Sequence, residues 1–438
     1  MAPPLGTPSA DTKRSRTTQQ AGNQPAFSLA RGKADILCAL KTSLVLQHPH
    51  LIALGGFMLR SIFVVLVLLG STIGSLRSQE QKASGHYLFA WTGDADGKGN
   101  DFLAVIDADP ESTTYGRLMT TITTDQPTKM VHHTEYTMPE SGMLFANDHF
   151  AGRTFIFDVR DGLHPKVAGS FTDMDGYMHP HSYVRLPNGH VLASFQHAHH
   201  HGSADPATTG GLVEIDDSGK VVRSASSADA AFPGALLTPY SLVILPDRDR
   251  VVSTNSSMHL ESILHGVTYQ VWRLSDLKLL KTSYVEVAQN HYSHVGPQEP
   301  RLGPDGSVYV QSLSCGLQRI TGLNTDTPKA QMVYTFPGSW CGVPTIVGHY
   351  FIQSVLAVHG LVAHWTGWDE KMQRLVVTSS LASDGRLYLV KLDQKTGALS
   401  LDENFRDTDG KVGFSFVDRQ WSHGWKGTGA PHGVVFSR

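Results

Sequence analysis

The chain has 438 residues, of which 40% are hydrophobic and 17% charged, so it is long enough for one large domain or two smaller ones. Its formal net charge is −3, and residues 79–438 alone carry 28 basic and 37 acidic side chains, a net charge of −9. This balance disfavours a nucleic-acid partner, while 42 Gly and 22 Pro among short runs of β-formers exclude long helices after residue 85.

The first 78 residues differ from the rest of the chain. Residues 1–57 are weakly patterned, and we predict that they are an unstructured or mis-assigned extension. Residues 58–78 begin with Met58 and Arg60 and continue with an apolar run and small residues, which is the layout of a secretory signal peptide. Because the apolar run is shorter than the about 20 residues that span a bilayer, no stable membrane span is expected. We therefore predict a periplasmic or secreted protein that starts at Met58, with a short N-terminal anchor or apolar helix as the alternative.

Two cysteines, Cys315 and Cys341, lie outside this leader. Their spacing fits no zinc motif. In an oxidising compartment such a pair can form a disulfide.

One strand pattern recurs along residues 83–438, which we predict to form a single domain. Each copy begins at a turn-type or polar residue, runs through three or four β-formers and ends in small polar residues. A second strand follows each of the seven copies, which are 86–92, 142–148, 189–195, 249–255, 306–312, 348–354 and 373–379.

This repeat predicts the fold class. Two strands cannot bury both faces of a ribbon, so neighbouring units must cover one another. Evenly spaced antiparallel strands favour an all-β fold, a seven-bladed β-propeller, in which four-stranded blades surround a central channel. The last interval is only about half as long as the others, which indicates shared strands or one reduced blade. A β-sandwich is the alternative, but sandwiches usually hold fewer residues.

Histidines occupy equivalent places in two consecutive units. His132 and His133 stand side by side where a blade's inner strand is predicted. Adjacent residues of a regular strand point to opposite faces, so both imidazoles can reach one metal only if the backbone turns or bulges there. His179 and His181 precede the next repeated strand, and Pro180 favours an extended segment that keeps both on one side. In a propeller such places converge on the channel, as a multi-histidine metal site requires.

Later units add further candidates. His359 in "AVHGLV" and His432 in "APHGVVF" are predicted as additional ligands. The dense cluster at 196–202, "QHAHHHG", lies in a stretch rich in turn residues, so we interpret it as a solvated loop. No function is assigned to His265, His364 and His423.

The type of ligand limits which metals this site could bind. Imidazoles without thiolates suit Cu, Zn, Fe or Ni, and copper binds them most tightly. Zinc fits the same ligands but cannot carry electrons. The chain has no G-x-S-x-G elbow, no P-loop and no G-x-G-x-x-G motif. The stretch 92–101, "TGDADGKGND", lacks the final acidic residue of a calcium loop, which indicates a plain turn.

Several motifs follow one another in order along residues 86–438. They are "NDFLAVIDADPESTTYGRL" with "MVHHTEY", "GRTFIFDVRDGLHPKV", "PHSYVRLPNGHVLASF" with "GGLVEIDDSGKVV", and "LSLDENFRDTDG" with "GAPHGVVFSR". Together they resemble the selenium-binding protein family, which includes the methanethiol oxidases. The resemblance implies a seven-bladed propeller. It also implies copper as cofactor, because the oxidase members of the family are copper-dependent. They convert methanethiol, O2 and water to formaldehyde, hydrogen sulfide and hydrogen peroxide.

The resemblance also implies particular ligands. The family's histidines fall on His132, His133, His181 and His432, and "VHG" at His359 stands where the family has "LHG". Two departures are clear. Glu135 and Tyr136 replace the family's Trp-Asn after the paired histidines, and the early cysteine motif linked to selenium binding is absent from the sequence.

These observations predict a copper-dependent oxidase whose partners are a small thiol and O2. Glu135 or His179 is the predicted proton acceptor. The alternatives are a non-catalytic propeller scaffold that binds metal incidentally, and a zinc hydrolase at the same site.

Overall fold

The structure is a computed structural model that describes residues 85–172, 174–198, 209–263, 265–290, 292–338, 340–357, 361–379 and 385–438. The predicted leader and His359 lie outside these residues, as do the three consecutive histidines of the 196–202 cluster. Within the described ranges, none of the helices combines the length and the hydropathy that a membrane span requires.

Strands dominate the described residues, which contain 30 β-strands and only two short helical segments, Pro246–Arg248 and Leu260–Ile263. The predicted all-β class is therefore confirmed. Most strands belong to antiparallel sheets that follow one another along the chain as the blades of a propeller.

Five of the blades are four-stranded sheets. Blade 1 contains β1 (Tyr87–Asp94), β2 (Asn100–Asp107), β3 (Leu118–Pro127) and β30 (Gly429–Phe436). Blade 2 contains β4 (Val131–Thr134), β5 (Met143–Asp148), β6 (Arg153–Asp158) and β7 (Lys166–Phe171). Blade 3 contains β8 (Tyr177–Arg185), β9 (Val191–Ala198), β10 (Gly211–Ile215) and β11 (Val221–Ser226). Blade 4 contains β12 (Pro239–Leu245), β13 (Arg250–Asn255), β14 (Thr268–Arg273) and β15 (Leu279–Tyr284). Blade 5 contains β16 (Pro297–Leu302), β17 (Val308–Ser312), β18 (Gly316–Thr321) and β19 (Lys329–Thr335).

The remaining strands form blade 6 and two small hairpins. The first hairpin is β20 (Thr345–Val347) with β21 (Tyr350–Ile352). Blade 6 contains β22 (Leu356–Ala357), β23 (Leu361–Asp369), β24 (Arg374–Ser379), β25 (Arg386–Leu392), β26 (Leu399–Leu401) and β27 (Phe414–Ser415). The second hairpin is β28 (Arg419–Gln420) with β29 (Lys426–Gly427).

Each blade is covered on its two faces by the two neighbouring blades. All eight residues of β1 are buried, whereas the outer strand β7 has no buried residue. Strands buried on both faces read as continuous runs of β-formers rather than as alternating patterns. This explains why the repeated pattern in the sequence falls on the second and third strands of the six blades.

The ring is closed by strands from opposite ends of the described chain. β30 pairs antiparallel with β1, with Leu88 opposite Phe436 and Phe89 opposite Val435. The six innermost strands, which face the channel, are β30, β4, β8, β12, β16 and β23.

The predicted count of seven blades is corrected to six among the described residues. The repeat copy at 348–354 contains β21, which belongs to a two-stranded hairpin and not to a blade. This hairpin lies between blades 5 and 6. Phe351 packs against Tyr309 and Leu317 of blade 5, and Ile352 packs in a cluster that includes Leu375 of blade 6. The short interval in the repeat is thus explained by a two-stranded hairpin that packs between two full blades.

Candidate metal centre

The innermost strand of each blade carries one extra residue at the same level of the channel. On β4, Val131 pairs with Asp148 and Thr134 pairs with Ala146, so three steps on β4 match two on β5. Such a bulge interrupts the regular alternation by which neighbouring side chains point to opposite faces of a strand. Equivalent bulges lie between Pro180 and Tyr183 of β8, Pro239 and Leu242 of β12, Pro297 and Pro300 of β16, Ala363 and Thr366 of β23, and Pro431 and Val434 of β30. The bulge that a shared site for His132 and His133 requires is therefore present.

The residues inside these six bulges surround one point of the channel. Blade by blade they are His132 and His133, His181 and Ser182, Tyr240 and Ser241, Gln298 and Glu299, His364 and Trp365, and His432 and Gly433. Five imidazoles and one carboxylate thus come from five different blades. Four of these histidines were predicted from the sequence.

Ring distances show how closely the imidazoles approach. The His132 ring lies 4.3 Å from that of His133, 4.1 Å from that of His432 and 4.5 Å from that of His181, measured between centroids. The His364 ring lies 4.4 Å from that of His432. One potential ligand atom from each of His132, His133 and His432 lies within 4.8 Å of the other two. The structure therefore brings the predicted ligands together, and metal binding by them stays a prediction.

Each of the five imidazoles has a buried nitrogen without a hydrogen-bond partner among the described residues. These atoms are His132 Nδ1, His133 Nε2, His181 Nε2, His364 Nε2 and His432 Nδ1. Leaving a buried polar atom unpaired costs about 1–3 kcal/mol, so native proteins contain few of them. Five in one place fit the donor set of a metal ion that prefers imidazole, such as copper or zinc.

The imidazoles are held in the neutral form that binds metal. Burial, followed by the charge of the neighbouring imidazoles, keeps the pKa of His132, His133, His181 and His432 well below its usual value. Burial lowers the pKa of His364 to about 4. At neutral pH these rings therefore offer lone pairs, and a metal does not have to displace protons from them.

Ser182 orients two of the rings. Its Oγ lies 2.9 Å from His133 Nδ1 and 3.0 Å from His181 Nδ1. A hydroxyl oxygen has two lone pairs, so it can accept Nδ1–H from both rings. This tautomer leaves Nε2 of His133 and of His181 as the metal-binding atom.

Glu299 is the acidic member of the group. Its Oε1 lies 3.8 Å from His133 Nε2 and has no hydrogen-bond partner among the described residues. Its Oε2 accepts hydrogen bonds from Ser241 Oγ at 2.7 Å and from Arg301 at 3.1 Å. Burial raises the pKa of Glu299, and the Arg301 guanidinium opposes that increase. Glu299 also forms a second possible ligand set, with His133 and His181.

Sequence reasoning missed His364 and Glu299. His364 is the second residue and Glu299 the third residue of a repeated tetrapeptide, which reads VHHT, PHSY, PYSL, PQEP, AHWT and PHGV from β4 round to β30. An alignment of the residues before each repeated strand would have found them.

Glu135 bonds to Arg185 and Phe145 rather than to the histidines, so its contacts do not support its predicted role as proton acceptor, which stays a prediction. Both of its carboxylate oxygens accept hydrogen bonds from Arg185 at 2.8 Å, and Oε1 also accepts one from the Phe145 amide at 3.1 Å. The carboxylate is therefore committed to a buried ion pair that links blades 2 and 3.

His179 likewise turns away from the centre. Its φ of 56° is left-handed, so it does not share a side of an extended strand with His181 as predicted. Its ring lies near those of His149 and His197, at 5.6 and 5.0 Å, and its Nδ1 is 3.0 Å from the His149 carbonyl oxygen. The expected side of the strand is corrected accordingly, and the role of His179 as a catalytic base stays a prediction.

A cavity of about 1010 Å³ leads to the centre. His132, His364 and His432 are among its lining residues. Further along the inner strands, the Arg301 guanidinium stacks 4.0 Å above the Tyr136 ring, and the Tyr136 hydroxyl lies 2.8 Å from the carbonyl oxygen of Thr366.

The two cysteines form a disulfide between Cys315 and Cys341, and Cys341 lines the cavity. Residues 95–99, which connect β1 to β2 within the stretch 92–101, form a plain turn as predicted. The Asp94 carboxylate accepts hydrogen bonds from the backbone amides of Asp96 at 3.0 Å and Lys98 at 2.8 Å.

No protein-family model matches the chain. A methanethiol oxidase from Hyphomicrobium sp is 30% identical over 153 residues, which is 33% of this chain and 34% of that protein. The match thus spans about a third of the length of the curated relative. This chain is distantly related to methanethiol oxidase over that region.

Solved structures share the fold. The periplasmic gluconolactonase PpgL of Pseudomonas aeruginosa aligns over 81% of this chain and 99% of its own, with 12% identity and a TM-score of 0.53. A putative 6-phosphogluconolactonase from Bacteroides uniformis aligns over 81% and 100%, with 11% identity and a TM-score of 0.51. A hypothetical selenium-binding protein from Sulfolobus tokodaii aligns over 79% of both chains, with 14% identity and a TM-score of 0.46. At such identities the first two support the propeller fold alone.

Proposed function

We propose that this chain is a copper-dependent oxidase of thiols in the selenium-binding protein and methanethiol oxidase family. One observation carries the proposal, namely that five buried imidazoles lie together beside a cavity that three of them line, each with a nitrogen that has no partner among the described residues. The partial identity with methanethiol oxidase supports the choice of reaction. The reaction would convert a thiol, O2 and water to an aldehyde, hydrogen sulfide and hydrogen peroxide.

The proposed ligands are His132, His133 and His432, with His181 and His364 beside them. His359 remains a proposed ligand that lies outside the described residues. When bound, copper would supply electron exchange with the thiol sulfur and with O2, which zinc cannot provide.

The protein's own groups would bind the thiol and manage its proton. Sulfur would reach the centre through the cavity that His132, His364 and His432 line. Glu299 would accept the thiol proton through its Oε1, which lies 3.8 Å from His133 Nε2 and hydrogen-bonds to no described residue. Ser241 and Arg301 would hold the opposite oxygen in place.

The same proposal includes a periplasmic or secreted location. The disulfide between Cys315 and Cys341 supports it, because disulfides persist mainly in oxidising compartments. The partners would be a thiol and O2, with no nucleic acid and no stable membrane span.

One experiment tests the proposal. The protein is expressed with its leader, its copper content is measured by mass spectrometry, and its oxidation of a thiol is followed through O2, sulfide and peroxide. His133→Ala should lose both copper and activity, while His423→Ala should keep both. His423 is a matched control because its ring bonds to Thr121, away from the cluster. A folded wild-type protein that binds no copper would leave the scaffold alternative, and zinc with hydrolysis indifferent to O2 would leave the hydrolase alternative.

A further inference from the structure

The cavity is much larger than methanethiol requires. Its volume of about 1010 Å³ lies at the upper end of the about 300–1,000 Å³ that suits drug-sized ligands. Methanethiol has only two non-hydrogen atoms. A site adapted to it alone would leave most of this space to water.

The walls of the cavity are mainly apolar. Phe150, Met258, Ile263, Leu313 and Trp340 contribute side chains from four separate parts of the chain. Phe150 and Trp340 remain 44% and 45% exposed, which is unusual for large apolar residues. Exposed aromatic side chains beside a concave apolar surface mark a place where a ligand is covered.

The histidine cluster contributes three of the residues that line this cavity. His132, His364 and His432 carry buried nitrogens that have no hydrogen-bond partner among the described residues. A ligand that combines a metal-binding head group with an apolar body would match both these histidines and the apolar walls.

We propose that the physiological ligand is a thiol with a bulky apolar substituent, an alkyl or aryl group of about six to ten carbon atoms, which lies against the apolar walls of this drug-sized pocket. This inference rests on the proposed function for the sulfur head group and on the cavity for the body. The thiol sulfur faces the histidines, and the substituent packs against Met258, Leu313 and the aromatic side chains.

Burial of each methylene should raise affinity about fourfold until the cavity is filled. From an ethyl to a hexyl substituent, the dissociation constant should therefore fall by about two orders of magnitude. The trend should end when the chain reaches solvent beyond Phe150 and Trp340.

The test measures binding separately from turnover. Alkyl methyl sulfides from ethyl to hexyl, and benzyl methyl sulfide, are titrated into the purified full-length protein by calorimetry, because these thioethers carry the apolar body but no thiol. Met258→Trp reduces the cavity volume and should weaken the binding of hexyl methyl sulfide about tenfold or more. The volume-conserving Met258→Leu should bind this thioether with the wild-type affinity. Thiol oxidation is assayed in parallel.

The outcomes separate the two proposals. Affinity that rises with chain length and falls in Met258→Trp supports the apolar ligand class, even if no thiol is oxidised and the proposed reaction fails. Dissociation constants that stay within threefold across the series overturn this inference, even if methanethiol is oxidised and the proposed reaction stands. Equal affinities in the two Met258 variants overturn it as well, because they place the ligand elsewhere.

Discussion

His133 and His181 lie on different blades, yet their Nδ1 atoms share a single hydroxyl group, that of Ser182, at 2.9 and 3.0 Å. This contact fixes the orientation of two potential ligands with one side chain. It also joins blade 2 to blade 3 at the level of the bulges.

Replacing Ser182 by Ala should lower copper affinity about 10–100-fold, because groups that orient metal ligands contribute about that much. Competition with a chelator of known copper affinity measures the change. Ser253→Ala is the matched control. Its buried hydroxyl accepts the indole N–H of Trp272 at 2.9 Å and contacts no imidazole nitrogen of the described residues within hydrogen-bonding distance. The control should lose about 1 kcal/mol of stability and no affinity. Equal losses of affinity in both variants would contradict the orienting role.

Glu299→Gln should slow thiol oxidation about 10²–10⁴-fold while copper content stays at the wild-type level, because the amide cannot accept the thiol proton. Steady-state kcat and metal analysis of the same sample test both parts. Ser241→Ala, which removes the hydroxyl 2.7 Å from Glu299 Oε2, should have a smaller effect on kcat. Loss of copper in Glu299→Gln would instead make the carboxylate a ligand, as its set with His133 and His181 allows.

Glu135→Gln should destabilise the protein without affecting the copper centre. Removing one charge from a buried ion pair leaves the other uncompensated, which costs about 3–5 kcal/mol. Arg185 is partly exposed and also forms an ion pair with Asp217, so the loss of stability should lie near the lower end of this range. Thermal unfolding and copper content measure the two effects. An unchanged melting temperature with lost oxidation would restore the catalytic role that the sequence suggested for Glu135.

Asp101→Asn should make the protein more stable at high pH. Burial, followed by the neighbouring Asp148 carboxylate, raises the pKa of Asp101 to about 8. In the unfolded chain the carboxyl has a pKa of about 4. Between these values the folded state keeps a proton that the unfolded state has lost, so wild-type stability falls as pH rises, by up to about 1.4 kcal/mol per pH unit. Above pH 8 Asp101 is deprotonated in both states, so its titration no longer changes the stability.

The amide that Asp101→Asn introduces has no such proton to lose, and its oxygen can still accept the hydrogen bond that Thr128 donates to Asp101 at 2.7 Å. The melting temperatures of wild type and variant should therefore coincide near pH 4 and separate toward pH 8. Asp148→Asn is the control. Asp148 accepts backbone amides of Lys129 and Met130 at 2.7 and 2.8 Å, so its loss should be destabilising across the pH range. Parallel curves for Asp101→Asn and wild type would refute the raised pKa.

Much of the fold could be predicted because blade strands have a local signature. The middle strands of each blade are buried on both faces, so runs such as 142–148 and 249–255 stand out in the sequence. The number of strands per sheet leaves no such signature. β21 has the same pattern as a blade strand, but it pairs only with β20, and the count of blades was one too high.

The site was predictable only in part, for a related reason. His132, His133, His181 and His432 were found because paired or motif-borne histidines are conspicuous. His364 stands alone in its stretch, and its importance comes from the bulge on β23. Glu135 was favoured because it is adjacent to the pair, but one residue beyond a bulge is enough to point a side chain toward another partner. For His179, the left-handed backbone reversed the expected side.

Ring closure has a consequence for when the centre can exist. β30 follows the other 29 described strands, yet it both completes blade 1 beside β1 and carries His432. During synthesis the other imidazoles are made before the last ligand arrives, and until β30 docks the channel has an open seam. Under the proposed function, a nascent or clipped chain without β30 would therefore lack both the strand that seals the channel and the nitrogen donor of His432.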